Sequence, residues 1–117
     1  MNVALHPIDN RIFVLVYDGN IFVYDPITYA QVHTFTYPGV NANYMIFEKN
    51  LDRFIMGGYD GATAPVLYFY NASTYASLTS LTTGLPSGDE VNTISMNPSG
   101  THIVVTNLAT SITTYKI

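Results

Sequence analysis

Short runs of apolar residues alternate with turn residues along most of the chain. In residues 11–29, RIFVLVYDGNIFVYDPITY, two runs of Val, Ile, Phe and Tyr flank the turn Asp18-Gly19-Asn20. β-branched and aromatic residues favour strands, and an Asp-Gly pair accepts the positive φ angles of a tight hairpin. No segment shows a helical period of apolar residues with capping residues at its ends. The pattern therefore predicts an all-β chain.

The amino-terminal part of the chain predicts one unit of four antiparallel strands. These strands, a to d, cover residues 3–6, 11–17, 20–25 and 30–37. Asp18 and Gly19 form the predicted turn between strands b and c. Asp25 and Pro26 begin the turn after strand c, because the Asp side chain bonds back to the backbone while Pro fixes φ.

The same pattern recurs twice further along the chain. An offset of 91 residues lays residues 3–9 on 94–100, and an offset of 42 lays residues 11–14 on 53–56. Self-similarity at a fixed period is the sequence signature of a repeat architecture. We therefore interpret the chain as tandem copies of one small antiparallel sheet.

The second copy carries an insertion in its hairpin. Asp60-Gly61 corresponds to the first hairpin pair, and is predicted to form the same turn. Beyond it the offset becomes 46, because four additional residues lie around 62–65, where a hairpin loop lengthens at low cost. We predict one domain with units at residues 1–40, 41–88 and 89–117, the last with three strands.

The strand interiors indicate how these sheets pack. Residues 12–17, IFVLVY, do not alternate between apolar and polar, which predicts that both faces of the sheet are covered. A four-stranded sheet that is buried on both faces and repeats with this period is typical of a β-propeller blade. A two-layer β-sandwich is the alternative, and would bury one face only.

Several short motifs are similar to those of the WD-repeat family of β-propellers. They are Leu5-His6-Pro7, Met96-Asn97-Pro98-Ser99-Gly100, and YDGNIFVYD at 17–25, which resembles the family's closing stretch with Tyr in place of Trp. The resemblance covers nearly the whole chain. It implies an interaction platform without catalytic residues to transfer.

The predicted strands are too few for a closed ring. Eleven strands are predicted, whereas six to eight four-stranded blades need about twice as many or more. We therefore predict an incomplete propeller. Its predicted partners are other proteins, or further blades supplied by a longer parent chain or by additional copies.

Composition excludes several classes of partner and chemistry. Charged residues make up 10% of the chain, the net charge is −4, and the four Lys and Arg residues never cluster. A phosphate-binding stripe cannot form from so few cations, so we expect no nucleic acid partner. No run approaches about 18 apolar residues, so we expect no membrane span. The absence of cysteine excludes disulfides and thiolate chemistry.

Three polar residues occupy equivalent positions at the end of strand a. They are His6, Glu48 and Asn97, which are candidates for partner binding and could ring the mouth of a central channel. Such a ring is where a propeller enzyme of the lactonase or lyase type would place its site. No histidine spacing typical of a metal site is present, and each histidine is expected to be solitary and partly exposed. We predict no cofactor, no bound metal and no catalytic residue.

The long link before the third unit contains the acidic pair Asp89-Glu90. Such links open on one face of a propeller, and loops on a rigid scaffold often carry binding residues. The pair could bind calcium or a basic partner, and the alternative is that it is part of a solvated loop without a binding role.

Three functions are compatible with these features. The first is a non-enzymatic protein-interaction scaffold, which the repeat and the lack of a catalytic constellation favour. The second is a fragment of a propeller enzyme. The third is a self-assembling extracellular structural protein, suggested by the low charge and the open ends of the blade stack.

Overall fold

The computed structural model describes residues 2–107 and 112–116, and eleven strands lie in this part of the chain. The strands are β1 (Asn2–Leu5), β2 (Ile12–Leu15), β3 (Asn20–Tyr24), β4 (Gln31–Thr36), β5 (Asn41–Glu48), β6 (Arg53–Tyr59), β7 (Val66–Asn71), β8 (Ser77–Thr82), β9 (Thr93–Met96), β10 (His102–Thr106) and β11 (Ile112–Lys116). None of the described segments is a helix long and apolar enough to cross a membrane.

The strands form three antiparallel sheets in chain order. Sheet 1 contains β1 to β4, sheet 2 contains β5 to β8, and sheet 3 contains β9 to β11. The all-β prediction with four-stranded blades is confirmed. Three of the four strands of sheet 1 are slightly shorter than predicted; β2, for example, ends at Leu15 because the carbonyl oxygen of Val16 already accepts the N–H of Gly19 within the turn. The three sheets lie inside the predicted units, whose boundaries stay a prediction.

The same register recurs in the first two strands of every sheet. Val3 pairs with Val14 in sheet 1, and Met45 pairs with Met56 in sheet 2. In sheet 3, Ile94 pairs with Val105. These pairs are related by the offsets read from the sequence, so the internal repeat is a repeat of backbone pairing as well as of residue type.

Sheets 1 and 2 enclose the first apolar core. Phe54 of β6 is fully buried at its centre, and its ring lies 5.4 Å from that of Phe13 and 5.2 Å from that of Phe35, measured between centroids. The buried members of this core are Phe13, Leu15, Ile21, Val23, Phe35, Tyr37, Ala42, Met45, Phe54, Met56 and Ala72. Aromatic rings at these distances contribute packing energy beyond their buried area.

Sheets 2 and 3 enclose the second core. Its buried members are Ile55, Leu67, Phe69, Leu85, Val91, Ile94, Ile103 and Val105. Neighbouring residues of β6 therefore face different cores: Phe54 faces sheet 1 and Ile55 faces sheet 3. Sheet 2 is covered on both faces, as expected for a blade between two neighbours.

Sheet 1 departs from the predicted burial of residues 12–17. Phe13 and Leu15 are buried, but Ile12 and Val14 are only half-buried. Side chains alternate between the two faces of a strand, so one face of sheet 1 packs on sheet 2 while the other is open. The prediction of two covered faces is wrong for β2 in the described structure and correct for β6, because only sheet 2 has a neighbour on each side.

Polar contacts tie sheet 1 to sheet 2 beside their shared core. The guanidinium of Arg11 donates to the carbonyl oxygens of Ala72 (3.2 Å) and Ser73 (3.3 Å) and to the hydroxyl of Tyr75. The Arg11 guanidinium carbon lies 5.0 Å from the Tyr75 ring centroid. The imidazole of His33 stacks on the same ring, 4.1 Å away and nearly parallel.

Candidate interaction site

The connections between strands alternate between two ends of the structure, because each sheet is antiparallel and follows chain order. One end, here the acidic end, contains residues 16–20, 37–40, 60–65, 83–92 and 107. The other, here the turn end, contains residues 6–11, 25–30, 48–53, 72–76 and 97–102. Contacts between sheets join like ends, such as Tyr37 with Asp60 and His6 with Asp52.

Charge is divided unequally between these ends. The acidic end carries Asp18, Asp60, Asp89 and Glu90, and no lysine or arginine of the described residues lies there. The turn end carries Asp9, Asp25, Glu48 and Asp52 together with Arg11, Lys49 and Arg53, and the backbone of Lys116 pairs with His102 there. The turn end is therefore close to neutral, and the net charge of −4 belongs to the acidic end.

Asp60 organises the acidic end between sheets 1 and 2. Its carboxylate accepts hydrogen bonds from the hydroxyls of Tyr37 (3.1 Å) and Tyr68 (3.0 Å) and from the N–H of Val66 (2.8 Å). Burial, with the adjacent Asp60 charge, raises the pKa of the Tyr37 hydroxyl far above its usual range. Burial and the bond to Asp60 raise the pKa of Tyr68 to about 12.

A continuous path of contacts crosses the acidic end. Tyr17, which is 67% exposed, accepts a long hydrogen bond (3.4 Å) from the side chain of Asn41. Asn41 pairs with Tyr59, whose backbone forms a bridge with Glu90. The path therefore joins an exposed tyrosine of the first repeat, through β5 and β6 of the second, to Glu90 in the link before the third.

The predicted binding pair Asp89-Glu90 lies on this surface and is held in place. The side-chain amide of Asn107 donates to the carboxylate of Asp89. Asn43 of β5 donates to Glu90 Oε2 (3.1 Å) and to the carbonyl oxygen of Val91 (3.1 Å). Both carboxylates are partly exposed, so each remains available to a partner.

His6 is fully buried, so the expectation of a partly exposed histidine is wrong for this residue. Its Nδ1 and Nε2 atoms lie 2.8 Å from carboxylate oxygens of Asp9 and Asp52 respectively. The ring can be buried because both polar atoms have partners. Burial alone would raise the pKa of Asp9, but the backbone N–H and the charge of Arg11 outweigh it and hold that pKa below its ordinary value.

Glu48 and Asn97 are each engaged in their own turn. The Glu48 carboxylate accepts from the N–H groups of Asn50 and Leu51, both at 2.9 Å, and from Arg53 Nε. Asn97 Oδ1 accepts from the N–H groups of Thr101 (3.0 Å) and His102 (2.8 Å). Glu48 and Asn97 line one cavity of about 270 Å³ between sheets 2 and 3, and His6 is not among its lining residues. A channel-mouth site at these residues stays a prediction.

The predicted turn residues all lie in connections between strands. Asp18 Oδ1 accepts from the N–H of Asn20 (3.1 Å), and Gly19 has a φ of 94°. Asp25 Oδ1 accepts from the N–H groups that follow Pro26, at positions 27 and 28, both at 2.8 Å. Gly61 follows Asp60 with a φ of 83°.

Some residues of these networks carried no signal in the sequence. Asp52, Asn43 and Tyr37 make contacts between sheets, and none belongs to a short motif. Among the described residues, no group of three or more His, Cys, Asp or Glu side chains is arranged to hold a metal ion.

Neither a protein-family model nor a curated protein matches this sequence. The structure is similar to the crystal structure of the WD40 repeats of RRP9, with a TM-score of 0.79 and 15% sequence identity over 98% of this chain. These sheets are WD40-like β-propeller blades. The chain spans 34% of the length of that propeller chain. Three successive blades, the third with three described strands, make an incomplete propeller.

The tyrosine pair on Asp60 predicts a loss of stability at high pH. The folded propeller blades keep both hydroxyls protonated to a higher pH than the unfolded chain, whose tyrosines ionise near a pKa of about 10. This contribution is complete below pH 10 and is lost as the pH rises from there through the folded pKa values. Urea midpoints measured across this range should fall. Tyr37→Phe should flatten the decline, whereas Tyr29→Phe at an exposed turn should not.

Proposed function

We propose that the chain is a non-enzymatic protein-interaction scaffold, part of a larger propeller, whose acidic end binds a partner rich in lysine and arginine. The observation that carries this proposal is the charge division: all four acidic side chains of that end lack a neighbouring cation among the described residues. A surface of one sign attracts a partner of the opposite sign and accelerates its association.

The form of the acidic end supports a binding role. Its carboxylates are held by hydrogen bonds from Asn43, Asn107 and the tyrosines, so less conformational freedom is lost when a partner binds. Tyr17 adds an exposed aromatic ring, a residue type enriched among the strongest contacts of protein interfaces.

The polar residues of the turn end support a scaffold more than an enzyme. The polar side-chain atoms of His6, Glu48 and Asn97 all form hydrogen bonds at the turns. A general acid or base must reach a substrate proton. In their observed positions these groups maintain the turns between the first two strands of each sheet.

The proposal predicts that a short, fluorescently labelled peptide of lysine, arginine and glycine binds the chain in anisotropy titrations. Asp18→Asn and Glu90→Gln each remove one negative charge from the acidic end with little change of shape. Each should weaken binding about threefold, and the double variant about tenfold, with the largest effects at low salt.

The matched control is Asp25→Asn at the turn end. It produces the same change of net charge, and the equivalent turn of sheet 2 carries Asn71, which accepts the same two backbone N–H bonds. Binding by this variant should change by less than about twofold. Equal losses for Asp18→Asn and Asp25→Asn would contradict a site at the acidic end, as would a peptide that does not bind at all.

A further inference from the structure

The cavity between sheets 2 and 3 opens to solvent at the turn end. The end of β5 and its turn contribute Glu48, Lys49 and Asn50 to the lining, and the turn after β9 contributes Gly100. Lys49 and Asn50 are exposed at the mouth, whereas Glu48 is 2% exposed. The volume of about 270 Å³ corresponds to about nine water molecules at liquid density and lies just below the usual range of ligand pockets. The cavity therefore has the size for a small metabolite.

Between sheets 1 and 2 the equivalent space is filled by side chains. The repeat lays His6 on Glu48, and His6 is fully buried there, with its ring centroid 5.6 Å from that of Phe47. Its Nε2 atom reaches across to Asp52 of the next sheet. In sheet 3 the position of Asp52 carries Thr101, and the hydrogen bonds of Glu48 all end within its own turn. Glu48 therefore leaves open a space that the imidazole of His6 occupies in the first pair of sheets.

One oxygen of the Glu48 carboxylate has acceptor capacity to spare. Oε2 accepts from the N–H of Leu51 and from Nε of Arg53, which is not a lining residue of the cavity. Oε1 accepts only from the N–H of Asn50, although a carboxylate oxygen can accept two hydrogen bonds. A Cβ atom at Gly100 would lie 2.7 Å from Oε1, so glycine leaves this oxygen uncovered on the side of sheet 3. A buried anion of this kind favours an occupant that donates from an ammonium group.

The rest of the lining adds a cation and an apolar wall. Lys49 makes no ion pair with the described residues, so its ammonium group is available to an occupant. The side-chain amide of Asn50 donates to the carbonyl oxygen of Ser99 (3.0 Å), which ties the two walls together. Phe47 and Met96 are half-buried and supply apolar surface from both sheets. A carboxylate, a cation and an apolar wall together fit a small zwitterion with an apolar side chain.

We propose that the cavity binds a free α-amino acid with an aliphatic side chain of the size of leucine. Its ammonium group donates to Glu48 Oε1, its carboxylate pairs with Lys49, and its side chain packs against Phe47 and Met96. Leucine has about nine non-hydrogen atoms, which matches the room in the cavity. This inference concerns the turn end and does not depend on the partner proposed for the acidic end.

The test titrates L-leucine into the 117-residue chain and follows binding by ligand-observed NMR. Three analogues each lack one group: leucinamide lacks the carboxylate, N-acetyl-leucine lacks the ammonium group, and glycine lacks the side chain. We expect leucine to bind with a Kd of about 0.1 to 1 mM, because so small a ligand makes few contacts. Each analogue should bind at least about fivefold more weakly.

Lys49→Gln tests the contact with the carboxylate without removing a hydrogen bond among the described residues. It should weaken leucine binding about fivefold and should not weaken leucinamide binding, because leucinamide has no carboxylate. The matched control is Gln31→Glu, which changes the net charge by the same amount at an exposed position of β4 in sheet 1. Its leucine affinity should change by less than about twofold.

Glu48→Gln tests the contact with the ammonium group. It should weaken leucine and leucinamide alike, by about tenfold, because both carry the ammonium group. Urea denaturation checks that the variant is folded. If the loss of the Glu48 bonds unfolds the turn, Lys49→Gln and the three analogues still decide the question, because they leave the turn intact.

Four results would overturn the proposal. The first is a chain that binds no leucine up to about 10 mM. The second is equal affinity for leucinamide, which would assign the cavity to the amino-terminal residue of a peptide. The third is equal affinity for N-acetyl-leucine, which would exclude recognition by Glu48. The fourth is an equal loss of leucine affinity in Lys49→Gln and Gln31→Glu, which would show a general effect of net charge. Peptide binding at the acidic end reports on none of these results, so the two proposals fail separately.

Discussion

Phe54→Ala is expected to lower the free energy of unfolding by about 4 kcal/mol. Phe54 is fully buried, and its ring packs against Phe13, Phe35, Phe47 and Tyr70 at centroid distances of 5.4, 5.2, 5.7 and 6.2 Å. Truncation removes these contacts and leaves a cavity between the two sheets, which hydrogen-bonded strands on both sides can close only in part. Urea denaturation followed by circular dichroism measures the loss.

Phe22→Ala is the matched control, because the same residue type lies half-buried on the face of sheet 1 that does not pack on sheet 2. We expect it to cost about 1 kcal/mol, since the ring already contacts water on one side. Equal losses for the two variants would contradict the assignment of Phe54 to the centre of the core between sheets 1 and 2.

The repeat made most of the architecture predictable from the sequence. Strand residues recur at fixed offsets, and the observed pairs Val3–Val14, Met45–Met56 and Ile94–Val105 obey the same offsets. Hairpin pairs such as Asp18-Gly19 have a local physical cause, the positive φ that glycine adopts easily. Turns with such a local cause can be predicted from a few consecutive residues.

The contacts between sheets could not be predicted from short stretches of sequence. Asp18 and Asp60 are equivalent in sequence, yet only Asp60 accepts bonds from Tyr37 and Tyr68. Tyr68 lies in the same sheet as Asp60, and its equivalent in sheet 1 is Phe22, which has no hydroxyl. The bond from Tyr37 arises because sheet 1 precedes sheet 2 in the stack. The buried state of His6 has the same origin, since its second carboxylate partner, Asp52, comes from the next sheet.

The charge division, by contrast, follows from topology once the strand order is known. Connections b–c and d–a share one end of every antiparallel blade, and they contain Asp18, Asp60, Asp89 and Glu90. In the sequence, Asp89 and Glu90 lie in one long link that is far from the two hairpins, so nothing local groups them with Asp18 and Asp60. The common end follows only from the alternation of the connections along each antiparallel sheet.

Gly58→Ala is expected to destabilise the chain by about 3 kcal/mol and to weaken peptide binding at the acidic end as well. A Cβ atom at Gly58 would lie 2.0 Å from the carbonyl oxygen of Asn41 and 2.8 Å from the Cα atom of Ala42, both backbone atoms of β5. Relief requires β5 and β6 to separate at their bulge. That movement displaces Tyr59, whose bridge to Glu90 joins the acidic end.

Gly57→Ala at the neighbouring position is the matched control, because its added Cβ atom would meet side-chain atoms instead of backbone atoms. Its added Cβ would lie 2.8 Å from Leu67 Cδ2, 3.1 Å from Val91 Cγ1 and 3.2 Å from Val91 Cβ, all of them side-chain atoms, which shift more easily than the backbone atoms that face Gly58. We therefore expect a loss of about 1 kcal/mol, measured by the same urea titration, with peptide binding nearly unchanged. If Gly57→Ala were as damaging as Gly58→Ala, general crowding in β6 would explain both losses, and the close approach of β5 to Gly58 would not be what maintains the acidic end.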